Sequence, residues 1–268
     1  MGRAIVITSG KGGVGKTTAT ANLGAALAQL GSSVVLIDAD IGLRNLDVVM
    51  GLENRIVFHV VDVIQGRCSA QKALIKDRRQ ENLYLLPASQ TDEKDAVTPE
   101  QMKELIFELK NVFDFVIIDC PAGIEQGFKN AIAGADEAVV VATPEVSSIR
   151  DADRVVGLLA ASDVPARLIV NRISQHLVKR GDMLSQADVI EILALELLGA
   201  VPLDDQIIAT TNKGVPAVLE ATKSLAAREF TRIARRLVGL DVETVRETGG
   251  GFFARLSRAL GLSSATAA

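Results

Sequence analysis

Uninterrupted apolar runs recur along the chain at intervals that leave room for a helix between them. Ala4-Ile5-Val6-Ile7 comes first. It is followed by Val34-Val35-Leu36-Ile37, Leu83-Tyr84-Leu85-Leu86, Phe115-Val116-Ile117-Ile118, Ala138-Val139-Val140-Val141 and Leu168-Ile169-Val170, with a shorter run at Ala200-Val201. Most are continuous rather than alternating, as expected of strands buried on both faces. Helix-like segments, such as 19–30, 99–110 and 147–161, separate several of them. The alternation predicts an α/β fold: a doubly wound, mostly parallel sheet flanked by helices, with its ligand at the carboxyl ends of the strands. The pattern continues to about residue 240 with no internal repeat and no linker.

The loop after the first run carries the clearest chemistry. Gly10-Lys11-Gly12-Gly13-Val14-Gly15-Lys16-Thr17 matches G-x-x-x-x-G-K-[ST] at every fixed position, and Thr18 follows. Its place between a predicted strand and a predicted helix is the context in which that pattern means phosphate binding. Without Cβ atoms at the glycines, the backbone can turn its N–H groups inward and cradle a phosphate chain at the helix N-terminus. Lys16 then neutralises β and γ oxygens, and the Thr17 hydroxyl can ligate Mg²⁺. ATP and Mg²⁺ are the expected substrate and cofactor. Lys11 is a second lysine in a loop that needs one. Its side chain starts outside the wrap, which leaves two readings: a solvated surface charge, or a cation offered to a neighbouring molecule's nucleotide.

Two further strand ends supply acids. The run Phe115 to Ile118 delivers Asp119, the second acidic group that a Mg²⁺-dependent phosphate loop needs. VVLIDAD, Val34 to Asp40, ends in Asp38 and Asp40. Asp38 is expected beside the metal with Thr17 and Asp119. Asp40 opens a glycine-containing segment and is expected to orient the attacking water, because Ile124 stands after Gly123 where a glutamine or histidine could have done so. Asn171 ends another predicted strand, and its amide can pair with the edge of an adenine.

KGGVGKTT resembles the deviant phosphate loop of the MinD/ParA family of ATPases, and the resemblance covers roughly residues 3–238. Several of the family's features follow from it as implications. Lys11 would reach across a face-to-face homodimer to the partner's ATP. Asp119-Cys120-Pro121-Ala122-Gly123 would be the second switch. Asn171-Arg172 and the backbone at Pro202-Leu203-Asp204 would surround the base. The segments ADIGLRNLDVVMGLEN (39–54), PASQTDEKDA (87–96), PEVSSIRDADR (144–154) and RGDMLS (180–185) resemble the division-site branch of that family. That branch implies a MinC-like septum inhibitor and a MinE-like ATPase stimulator as partners, on a surface that includes Arg44-Asn45 and residues 151–154. The alternative is a flagellar-number or chromosome-partition ATPase of the same family.

Composition refines these expectations. The chain has 268 residues, 48% of them hydrophobic, without tryptophan or a run of eighteen apolar residues, so an aliphatic core is expected rather than a membrane span. No charged-then-apolar leader precedes the first strand, and Val6 stands where a myristoylation signal needs Ser or Thr, so a cytoplasmic protein is expected. Cys68 and Cys120 form no C-x-x-C, and His59 and His176 have no ligand spacing. A net charge of −4 disfavours broad nucleic-acid binding.

Beyond residue 240 the pattern changes. Residues 241–251 end in Gly249-Gly250-Gly251 and read as a flexible linker between the ATPase domain at 1–240 and a tail at 252–268. In FFARLSRALGL, Phe252, Phe253, Leu256, Ala259 and Leu260 share one helical face. Arg255 and Arg258 lie off it, and no acid occurs from Gly249 onwards. The tail is expected to be an amphipathic helix that targets anionic lipid on the inner face of the cell membrane when ATP is bound.

Overall fold

The computed structural model describes residues 1–240; the linker and tail expected at 241–251 and 252–268 lie outside the described residues. Eight strands form one sheet: β1 (Arg3–Thr8), β2 (Val34–Asp38), β3 (Ile75–Lys76), β4 (Leu83–Leu86), β5 (Phe115–Asp119), β6 (Glu137–Ala142), β7 (Ala166–Ile173) and β8 (Glu196–Pro202), in the order β3-β4-β2-β5-β1-β6-β7-β8. Every pairing is parallel except β3 with β4. Each apolar run falls inside a strand. The first strand of the chain lies in the middle of the sheet, paired with β5 on one side and β6 on the other.

The helices are α1 (Lys16–Gln29), α2 (Leu46–Met50), α3 (Val60–Ile64), α4 (Ala70–Ala73), α5 (Pro99–Lys110), α6 (Gln126–Ile132), α7 (Val146–Ala161), α8 (Gln175–Arg180), α9 (Gln186–Leu193), α10 (Asp205–Asn212), α11 (Ala217–Glu220) and α12 (Leu225–Leu237). Two apolar cores result, one on each face of the sheet. Ala4 and Val6 of β1 point into the core covered by α5, α6, α7 and α9, while Ile5 and Ile7 point into the core covered by α1, α11 and α12. Alternate residues of one strand thus serve opposite layers, which is why the runs are continuous.

Helix boundaries follow local chemistry. α5 spans the predicted 99–110: Thr98 accepts the Gln101 N–H, Gln101 returns a bond to the Thr98 N–H, and Pro99 takes the first helical position. α1 starts earlier than its apolar pattern suggests, at Lys16, directly off the phosphate loop. Among the described residues, no helix is long and apolar enough to cross a membrane.

Candidate active site

Parallel pairing brings the chemistry to one end of the sheet. Asp38 is in register with Asp119 across β2 and β5, and Ile7 of β1 is in register with Asp119 on the other side. The phosphate loop leaves β1 beside both acids. Gly13 and Gly15 take φ values of 77° and 101°, a left-handed region that glycine enters without a Cβ clash. At Gly10 the demand is for space: a Cβ there would lie 2.0 Å from the Asp151 carbonyl oxygen, so the loop lies directly against α7.

The two loop lysines go different ways. Lys16 is 7% exposed and folds back along its own loop, its Nζ donating to Ser9 Oγ at 3.0 Å, while Ser9 Oγ donates to the Lys11 carbonyl at 2.8 Å. Lys11 leaves the loop. Its Nζ donates to Ser147 Oγ at 3.2 Å and stands 4.0 Å from the Glu145 carboxylate, at the start of α7.

The expected metal residues meet at the strand ends. The Asp119 carboxylate accepts the Thr20 hydroxyl at 3.2 Å and is also hydrogen-bonded to the Thr17 side chain. Burial, and then the charge of Asp38, push the Asp119 carboxyl up to about 8, against the opposing pull of Thr17 and Lys16. Asp38 is raised to about 6 by burial, opposed by hydrogen bonds from three backbone N–H groups: Asp40 at 3.0 Å, Asn45 at 3.0 Å and Leu46 at 3.1 Å. Asp38 therefore also shapes the segment that follows it, holding the start of α2 against the end of β2. Two neighbouring buried carboxyl groups, with a threonine hydroxyl between loop and strand, offer hard oxygen donors of the kind that Mg²⁺ takes.

Asp40 is half-buried and lines a small recess with Ala39, Ile41, Pro121, Gly127 and Asn130, so the segment that Asp40 opens and the expected second switch meet at one recess. The segment after it is held on two sides. The Gly42 N–H donates to the Ser89 carbonyl at 2.8 Å, and Arg44, at a φ of 48°, pairs with the buried Asp47 at 2.8 Å.

The expected base region also converges. Asn171 Nδ2 donates to the Val14 carbonyl at 2.8 Å and its Oδ1 accepts the Arg172 N–H at 3.0 Å, tying the end of β7 to the phosphate loop. One amide hydrogen and one lone pair of Asn171 remain for a ligand. Arg172 is exposed at a φ of 59°. The Leu203 N–H bonds to the Ile173 carbonyl, and Leu203 is exposed. Asp204 caps α10 through the Gln206 N–H at 2.9 Å and reaches the Ala226 N–H of α12 at 3.3 Å, which sets the path of the Pro202-Leu203 backbone.

Sequence reasoning missed Ser9, Thr20, Glu145 and Ser147. Thr20 had a signal, since it lies one helical turn beyond Thr17 on the same side of α1. The contacts of Lys11 had none, because Ser147 is 136 residues away.

A model of the AAA domain family matches residues 2–160. The septum site-determining protein MinD of Bacillus subtilis is 54% identical over 269 residues, covering 98% of this chain and all of that protein. The chain belongs to the MinD family. Solved structures of the family agree with the fold. The MinC:MinD cell division protein complex of Aquifex aeolicus superposes with a TM-score of 0.84 at 50% identity, covering 91% of this chain and 99% of the other. The septum site-determining protein MinD of Pyrococcus horikoshii, complexed with Mg-ADP, gives 0.82 at 32% identity, covering 91% and 100%.

Proposed function

We propose that this chain, a Mg²⁺-dependent ATPase that acts in placing the division site, works as an ATP-driven dimerisation switch whose membrane-bound form recruits a MinC-like inhibitor of septation. The divergence of the two loop lysines carries the reading. Lys16 is committed to its own phosphate site, whereas Lys11 points away from it, toward α7 and the surface. A lysine placed there serves a second molecule's nucleotide better than its own. Partnership with a MinC-like protein is supported by the MinC:MinD complex at 50% identity.

In this reading the loop N–H groups and Lys16 hold the triphosphate, and Asn171, Arg172 and the 202–204 backbone hold the base. Thr17 and Asp119, with Asp38 behind them, would hold Mg²⁺, which neutralises phosphate charge. Asp40 orients the attacking water from the recess that it shares with Pro121 and Gly127. Arg44 and Asp151, both on the surface implied for partners, stand next to this machinery: Arg44 follows Asp40, and Asp151 covers Gly10. A MinE-like stimulator that bound there would act directly on the hydrolytic site.

The tail completes the switch. Two phenylalanines and two leucines, partly buried in lipid, are worth about 4–6 kcal/mol before the cost of ordering the segment. That is marginal, like a single acyl chain. Two tails on one dimer gain about 10²–10⁴ in avidity, so ATP makes the protein peripheral on the membrane and hydrolysis releases it.

Pelleting with anionic vesicles tests this directly: strong with ATP, weak with ADP, and absent after deletion of 252–268 or in Leu256→Glu. Lys11→Ala should bind ATP but elute as a monomer on size exclusion. A Lys11→Ala dimer with normal turnover would sink the trans role, and equal pelleting in ATP and ADP would sink the switch.

A further inference from the structure

The described chain ends on a helix whose outward face is cationic. α12 buries Ala226, Ala227, Phe230, Ile233, Ala234 and Leu237 in the core that it shares with α1 and β8. Its exposed positions fall at 225, 228, 232 and 235, a single stripe at helical spacing, and the last three are arginines. The exposed Lys223 stands just before the helix. Glu229 is the only acid between 223 and 240; its side chain is 15% exposed, and it pairs with Arg232 at 3.2 Å and Arg236 at 3.9 Å. A chain with net charge −4 thus gathers cations along one helix, directly before the segment read as a membrane tail.

We propose that Arg228, Arg232 and Arg235 form a second, electrostatic contact with an anionic lipid surface, beside the hydrophobic anchor of the tail. The inference rests on the tail reading given above and adds to it a surface of the ATPase domain. Two observations select lipid as the partner. Phosphate-bearing headgroups are the charge complement of an arginine stripe, and guanidinium forks match phosphate geometry. Chain order then supplies proximity: the fifteen residue steps from Leu237, the end of α12, to Phe252 span at most about 54 Å, however they are arranged. α12 itself is about 20 Å long at 1.5 Å per residue. Once the tail is on the surface, the stripe is tethered beside it. Nucleic acid shares the phosphate chemistry but has neither the tether nor an overall positive charge to draw it in.

The test uses the full-length protein with ATP, pelleted with vesicles one-third phosphatidylglycerol and with pure phosphatidylcholine, across a salt series. The triple variant Arg228→Gln, Arg232→Gln, Arg235→Gln alters exposed positions only and keeps good helix formers. At about fivefold per arginine near an anionic surface, its affinity for anionic vesicles should fall ~10²-fold, with a shallower salt dependence. Binding to phosphatidylcholine and ATP turnover without vesicles should not change. The corresponding triple lysine variant should recover most of the affinity. Unchanged anionic binding and salt slope in the glutamine variant, with Leu256→Glu still abolishing binding, would overturn the stripe and leave the tail reading standing. Failure of the wild type to bind either vesicle would overturn both. If the glutamine variant lost retention of a short DNA duplex while keeping its vesicle affinity, the stripe would belong to nucleic acid and the proposal would be wrong.

Discussion

Single atoms decide how closely the phosphate loop can approach its neighbours. A methyl group on Gly10 would strike the Asp151 carbonyl at 2.0 Å, whereas one on Gly12 would meet Ala122 Cβ at an ordinary 3.7 Å. Gly10→Ala should therefore push the loop off α7 and destabilise the nucleotide-free protein by about 1–3 kcal/mol. Gly12→Ala, two residues away, should melt within about 0.5 kcal/mol of wild type. Equal melting of the two variants would show that α7 yields. Asp40 calls for a different measurement, because the role proposed for its carboxylate is to orient water and not to hold nucleotide. Asp40→Ala should keep ATP binding and the dimer while turnover drops at least ~10²-fold; wild-type turnover would assign the water to another group.

At the scale of elements, the paired ends of β2 and β5 hold two carboxyls whose folded values, about 6 and about 8, lie above the ordinary value near 3.8. The folded state therefore keeps protons that the unfolded chain releases. The contribution of these groups to stability is complete below about pH 4 and is lost as pH rises through 6 and then 8. Melts of the protein in EDTA should show falling stability across that window, with Asp119→Asn flattening its upper part and Mg-nucleotide removing the slope. A flat wild-type profile would mean that burial at this end is weaker than the structure shows. The same strand ends mark how far the sequence could be read. Apolar runs announced the strands and the segment 99–110 was legible as a helix, because those signals are local. β3 was invisible, being two residues long, and β8 surfaced only as Ala200-Val201 because Glu196 and Gly199 interrupt its pattern. The acids at the end of β2 and a separate expectation for each were legible, but not that Asp38 turns inward to three backbone N–H groups while Asp40 stays half-open. The hold of Asn171 on Val14 joins positions 157 residues apart and leaves no local trace.

For the molecule as a whole, the two cysteines report opposite environments. Burial pushes the Cys120 thiol up to about 12, and its side chain is sealed in the core next to Asp119. Cys68 is half-buried at the edge of that core and is also raised, first by burial. Alkylation of the native protein at pH 8 should modify Cys68 slowly and Cys120 only after global unfolding, so mass spectrometry of labelled peptides gives a measure of opening at the nucleotide end. Labelling of Cys120 at the rate of Cys68 would mean that this end of the sheet opens locally.

The central position of β1 has a consequence for synthesis. Residues 3–8 leave the ribosome well before both of their neighbours, which are encoded more than a hundred residues later, at 115–119 and 137–142. At 5–20 residues per second the strand waits on the order of 5–30 s before either partner exists. During that interval a largely apolar strand followed by a glycine-rich loop has no sheet to join, and β2 with β4 can assemble only an incomplete half. Nascent chains released before β5 is made should therefore be ready substrates for chaperones and proteases, and the phosphate loop acquires its shape only when the middle of the sheet closes around it.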